Sequence, residues 1–233
     1  MANIDFTTKL DNEHMEITLS QRVYTALRDE IVGGHLKPGT RLTRRGISKK
    51  LGVSQNPVTE ALMRLEMDGF VENKPLYGCR VRILTIDDIE NDQILREAIE
   101  CQLARLCCQN AEPQEIKILE QKAAELDRIT AQGDPQSSLG MKMHLDFHIL
   151  IGKAGKKCPY LIDELERVWL RSLMRLNWIK SSLFGKLPDN WHTELVKALK
   201  GKAPDIAEKA MRSHVKKNEQ YDIESLEIIQ KEK

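Results

Sequence analysis

A chain of 233 residues, 41% of them hydrophobic, is long enough to bury a core and suits one large domain or, better, two modest ones. No window approaches the roughly 18 consecutive apolar residues of a membrane span, and the polar start MANIDFTTKLDNEHME lacks the basic and apolar regions of a signal peptide. A cytoplasmic rather than a membrane or exported protein is therefore expected, and five cysteines, an odd number with no CxxC pair, argue against a disulfide framework.

The net charge of +1 averages over two unlike parts, because residues 1–83 carry +3 and residues 84–233 carry −2. Between Lys37 and Thr59 lie Lys37, Arg41, Arg44, Arg45, Lys49 and Lys50 with no acidic residue, the electrostatic footprint of a phosphate-binding surface. Residues 20–33 place Val23, Leu27 and Ile31 on one stripe and end at Gly33-Gly34, which predicts a first helix. A turn over His35–Thr40 follows, and Thr43 caps a short second helix that runs to Leu51. Ser54 caps a third, with Pro57 in its first turn and Val58, Leu62 and Leu65 on its apolar face up to Asp68-Gly69. Two helices joined by Leu-Gly-Val form a helix-turn-helix, and the strand candidates Phe70–Glu72 and Cys79–Ile83, around a turn with Pro75 and Gly78, form a wing.

The run Leu36-Lys-Pro-Gly-Thr-Arg-Leu42, then Leu51-Gly-Val-Ser-Gln-Asn-Pro-Val-Thr-Glu-Ala-Leu62, Arg64-Leu65-Glu66 and Asp68-Gly69-Phe70-Val71, resembles the GntR family of bacterial transcription regulators. The resemblance covers residues 20–83 and implies a winged helix whose third helix enters the major groove of a double-stranded operator. It implies that Arg45, Ser54, Gln55, Asn56, Thr59 and Gly78 face DNA, with Arg41 and Arg44 joining Arg45 on phosphates. Many family members carry arginine where this chain has Gln55 and Thr59. Arginine is the usual guanine reader and Gln or Asn suits adenine, so either a more A·T-rich half-site or a phosphate-dominated affinity is expected.

From Thr85-Ile-Asp-Asp88, a capping-box-like start, the chain reads as helix to Cys108, with Ile89, Ile94, Ala98 and Leu103 as its apolar face. Further helices are predicted at 112–132, 137–154, 158–183, 188–200 and 204–229, punctuated by Gly133-Asp134-Pro135, Gly155, Gly185 and Gly201. The fold class is thus mainly α: a winged helix-turn-helix domain over residues 15–83 and an all-α bundle over 84–233, where ligand sites form between facing helices. Met141, Met143, Trp169, Leu170, Leu173, Met174 and Trp178 are read as bundle core.

His144 and His148 stand at i and i+4, a metal-chelating spacing, although such a pair is more often on a surface. His192 and His214 lie on two helices joined near Gly201, which can bring them together. The segments Leu95–Glu100, Phe147-His148 with Gly155, and His192 through Ala198, Ala207 and Met211 to His214 resemble the FCD ligand-binding domain of one GntR subgroup. That resemblance, over residues 86–216, implies a divalent metal held by one aspartate and three histidines, the aspartate falling at the position of His144. A four-histidine set of His144, His148, His192 and His214 results, with Asp146 turned roughly 200° away from His144.

Neutral imidazole in place of a carboxylate favours a transition metal, Zn²⁺ first and Ni²⁺ second, over Mg²⁺ or Ca²⁺. The resemblance places Arg96 on the pocket wall, where it would pair with the carboxylate of a small organic-acid effector; an ion pair with Glu97 or Glu100 is the alternative. Glu100 and Arg171 are the other effector candidates, with Arg175 and Asn177 beside them. A homodimer on a pseudo-palindromic operator is the family expectation. A regulator whose effector is the ion itself, a metalloenzyme and a purely structural bundle are the rival readings, the enzyme being disfavoured by the lack of HExxH, nucleophile elbow or phosphate loop.

Overall fold

The computed structural model describes the backbone of residues 17–74, 78–131, 138–179 and 188–231, and their side chains except those of 138–139, 176–179 and 218–231. The expected turn at Pro75, the breaks at 133–135 and Gly185, and the side chains of Asn177 and Trp178 lie outside the described residues. Two compact units result, one holding the residues up to Leu84 with Leu173–Trp178, the other Thr85–Ser172 with Ile179 onward.

In the first unit α1 (Leu19–Val32) starts where the Thr18 side chain accepts from the Gln21 N–H at 3.2 Å. It buries Val23, Ala26, Leu27 and Ile31, the stripe that the spacing predicts. Thr43 caps α2 (Arg44–Leu51) through the Gly46 N–H at 3.1 Å, and the helix stops at Gly52 with φ 66°, a left-handed turn that a side chain would strain. Then α3 (Gln55–Met67) buries Val58, Ala61, Leu62 and Leu65 against α1.

The wing carries one strand more than expected. Besides β2 (Val71–Lys74) and β3 (Gly78–Val81), β1 (Arg41–Leu42) pairs antiparallel with β3, giving the order β1-β3-β2 with Arg41 opposite Arg80 and Leu42 opposite Cys79. Two residues are too few to display a period-two pattern, so the turn reading of this region stopped short of the strand. Tyr24 ties α1 to the end of α3, its hydroxyl donating to the Asp68 carboxylate at 2.6 Å in the buried interior.

The regular elements of the second unit, among its described residues, are all helices: α4 (Ile86–Asn110), α5 (Pro113–Ala131), α6 (Ser138–Ala154), α7 (Pro159–Ile179), of which Leu173–Trp178 group with the first unit, α8 (Trp191–Lys200) and α9 (Pro204–Lys231). Thr85 and Asp88 close the expected capping box on α4. The core runs through Leu119, Ala123, Phe147, Ile151, Leu195, Leu199, Ala207, Met211 and Val215. Of the predicted bundle core, Trp169 is buried and Met141, Met143 and Leu170 are half-buried, whereas Leu173 and Met174 are buried but group with the first unit.

The face assigned to α4 requires correction. Ile94 is 65% exposed and Ala98 is exposed, while the inward stripe is Ile89, Gln93, Arg96, Glu100, Leu103 and Cys107. Its middle three members are polar, so an apolar period points to the wrong side of the helix exactly where the interior needs charge and hydrogen bonds.

Candidate metal centre and nucleic-acid interface

All six basic residues of the acid-free run, Lys37, Arg41, Arg44, Arg45, Lys49 and Lys50, are exposed in the first unit. Arg44 and Arg45 open α2, and Ser54, Gln55 and Asn56 stand exposed at the start of α3. Thr59 is half-buried and its hydroxyl donates back to the Gln55 carbonyl at 2.9 Å, which leaves Gln55 and Asn56 as the freer polar groups on this turn. Gly78 opens β3 exposed with φ 73°, on the strand that pairs with Arg41.

In the second unit His144 and His148 of α6, His192 of α8 and His214 of α9 are all buried. The Nε2 atoms of His144 and His148 lie 3.0 Å apart and those of His144 and His214 3.4 Å apart. An ion bonded to imidazoles at about 2.0–2.1 Å sets adjacent ligand nitrogens about 2.9–3.4 Å apart, from octahedral to tetrahedral corners. His144, His192 and His214 each offer a nitrogen, and these lie within 4.8 Å of one another. Nε2 of His192 is buried without a hydrogen-bond partner, as expected of a donor atom that serves an ion. These residues fit a metal that prefers nitrogen.

Protonation favours the same use. Burial, followed by the charge of the neighbouring histidines, holds His144 and His214 well below the usual imidazole range, and burial also lowers His192 against the pull of Asp127. Neutral imidazoles carry the lone pairs that a metal needs.

Behind the rings stand two carboxylates. Glu100 of α4 meets His148 at Nδ1 and accepts from Arg96 Nε at 2.9 Å and Trp169 Nε1 at 3.1 Å. Burial would raise its pKa, but the contacts with His148 and Arg96 outweigh that and hold the carboxyl at about 2. Asp127 of α5 lies 2.8 Å from His192 Nδ1 and takes the backbone N–H of His192 at 2.9 Å and of Thr193 at 3.0 Å. Asn190 gives α8 no side-chain cap, so Asp127 supplies it from another helix. Sequence reading missed Asp127, which on α5 looks like one more acid of a solvated face.

Of the effector candidates, Arg96 is 2% exposed, with its Cζ 3.9 Å from the Trp169 ring centre and one guanidinium nitrogen, Nη2, without a partner. The ion-pair alternative is realised with Glu100, but inside the bundle rather than on its surface. Arg171 is turned to Asp92, which it grips through Nε and Nη2 at 2.6–3.1 Å. Asp146 is exposed, as its helical phase predicts.

A winged helix with a basic, acid-free surface, followed in the same chain by a helical bundle with converging buried imidazoles, defines a DNA reader joined to a second, all-helical domain. The model of bacterial regulatory proteins of the gntR family matches residues 19–81, and the FCD domain model matches residues 94–217. The chain belongs to the GntR family of DNA-binding transcription regulators and carries an FCD domain; it is not an enzyme. It is similar to the HTH-type transcriptional repressor RspR of Escherichia coli, 26% identical over 201 residues, 84% of this chain and 86% of that protein. The HTH-type transcriptional regulator McbR of Escherichia coli is 25% identical over 82% of this chain and 85% of its own length. The solved structure of McbR superposes with a TM-score of 0.68 at 22% identity, covering 87% of this chain and 95% of that one, which speaks to the fold. No helix among the described residues is long and apolar enough to cross a membrane.

Proposed function

We propose that this regulator is a homodimeric repressor of the cytoplasm in which residues 15–83 read a pseudo-palindromic operator and residues 84–233 form the metal-dependent sensor and dimerisation domain. Repression is taken from the name of RspR, and two-fold symmetry from the half-site geometry that winged-helix readers use. The observation that carries the sensor reading is the approach of His144 Nε2 to the Nε2 atoms of His148 and His214 at ligand-edge distances, with a nitrogen of His192 within 4.8 Å of those of His144 and His214. The metal is a divalent transition ion, Zn²⁺ by availability and Ni²⁺ where open positions are used.

The effector is a small organic acid. Arg96, with a buried unpartnered nitrogen, is the group that would take its carboxylate, and Glu100 orients Arg96. Arg171, the third effector candidate, is gripped by Asp92 and would take part only by exchanging that partner. On the DNA side Arg41, Arg44 and Arg45 contact phosphates, Gln55 and Asn56 read bases, and Ser54, Thr59 and Gly78 line the same surface. Effector and operator binding are coupled reciprocally through two states of the dimer.

The test is elemental analysis of untagged protein purified without chelator, beside a His148→Ala variant. About one transition-metal ion per chain, lost in the variant, is expected. Wild-type protein that holds no metal after reconstitution would overturn the sensor reading.

A further inference from the structure

The four imidazoles that face the proposed ion bring no negative charge, yet a buried divalent cation is costly unless anions accompany it. Two carboxylates stand one layer out, each on the Nδ1 edge of a different histidine: Glu100 on His148 and Asp127 on His192. We infer that Asp127 is a positioning residue of the metal site: it fixes His192 with Nδ1 protonated and Nε2 turned to the ion, and it couples that ring to the start of α8.

The geometry carries each part. Asp127 Oδ1 is 2.8 Å from His192 Nδ1, a contact that requires the proton on Nδ1 when the imidazole is neutral. Nε2 of the same ring is buried and without a partner, so the tautomer leaves a lone pair directed to the interior with no other use for it. Oδ1 also accepts the His192 backbone N–H at 2.9 Å, so one oxygen holds both the ring and the main chain of the ligand residue. Oδ2 takes the Thr193 N–H at 3.0 Å and its hydroxyl at 2.6 Å, which fixes the carboxylate plane.

Partners of this kind typically change metal affinity 10–100-fold when removed, because they orient the ligand and raise its basicity. They also link helices. Asp127 ties the ring of His192, the first residues of α8 and α5 together through one carboxylate.

This inference rests on the metal reading above, and the experiment separates the two. Chelator-competition titration with Ni²⁺ is run on wild-type protein and on Asp127→Asn, with denaturant unfolding of both metal-free proteins in parallel. The expected result is wild-type binding of one ion and a variant affinity lower by about 10–100-fold, larger than any change in metal-free unfolding accounts for. Wild-type binding with an unchanged Asp127→Asn affinity overturns the inference and leaves the metal reading intact. Failure of the wild-type protein to bind overturns both.

Where Asp127→Asn does not fold, long-range ¹⁵N–¹H spectra of metal-free wild-type protein decide the same point. A protonated Nδ1 on His192 is expected, and an Nε2–H tautomer overturns the inference. Asp127→Glu, which keeps the charge on a longer arm, is expected to recover part of the affinity lost by the amide.

Discussion

Trp191 lies flat on His214, the ring centres 3.9 Å apart and the planes inclined by 21°. The indole covers one face of a proposed ligand, while Trp169 approaches His144 and His148 edge-on or tilted at 5.0 and 5.1 Å. Both tryptophans are therefore reporters placed beside the centre.

A paramagnetic ion held by His144 and His214 would sit within a few ångströms of these indoles. Titration with Ni²⁺ is expected to quench tryptophan fluorescence to a plateau at one ion per chain. In His214→Ala the quenching should become weak and non-saturating; a wild-type plateau preserved in that variant would remove His214 from the ligand set.

Metal loss should be visible in stability, because an ion that binds only the folded chain stabilises it by about 4 kcal/mol at a thousand times its dissociation constant. Metal-free protein is expected to melt several degrees below metal-loaded protein in differential scanning calorimetry, with the loss confined to the second unit. Equal melting temperatures would show that these histidines hold no ion of consequence for the fold.

Arg96 allows a sharper test of the effector site. Lysine keeps the charge but cannot offer the forked donors of a guanidinium. With metal bound, thermal shift against a panel of small carboxylic acids should show stabilisation in wild-type protein and its loss in Arg96→Lys. The metal content should stay near one ion in both.

On the DNA side, Arg45→Ala is expected to weaken binding to all duplexes alike and to lower the salt slope by about one. Gln55→Arg should instead change sequence preference toward guanine, by about 1–3 kcal/mol at one base position. Fluorescence anisotropy with operator and scrambled duplexes distinguishes the two patterns, and a uniform effect of Gln55→Arg would take that residue out of base reading.

The first unit carries a pH dependence of its own. Burial and then the hydrogen bond to Asp68 raise the Tyr24 hydroxyl from 10.0 to about 12. A raised folded value means that the folded chain keeps the proton longer, so this contribution is complete below pH 10 and is lost as pH climbs toward 12. Urea unfolding followed at pH 9 and pH 11 should show a drop in wild-type stability that Tyr24→Phe lacks.

Much of the architecture follows from local rules that a linear chain displays. Thr18, Thr43 and the Thr85–Asp88 box cap helices through residues at most three positions away, and Gly52 adopts the left-handed turn that ends α2. The stripes Val23-Leu27-Ile31 and Val58-Leu62-Leu65 show the helical period in apolar residues alone. The histidine spacing in α6 was legible for the same reason, since i and i+4 share a face whatever surrounds them.

Other features depend on parts of the chain that are far apart in sequence. Only packing turned Gln93, Arg96 and Glu100 inward on α4, because the interior they face is polar and an apolar period cannot reveal that. Only packing brought His192 and His214 from α8 and α9 to the α6 pair. And Asp127, 65 residues from His192, became both the cap of α8 and the partner of its first histidine through hydrogen bonds that no local spacing encodes. The sequence by itself determined the helices, their caps and the DNA-reading module, since those rest on contacts within a few residues; the tertiary structure decided which charges are buried together, since desolvation and hydrogen bonding are settled between elements and not along them.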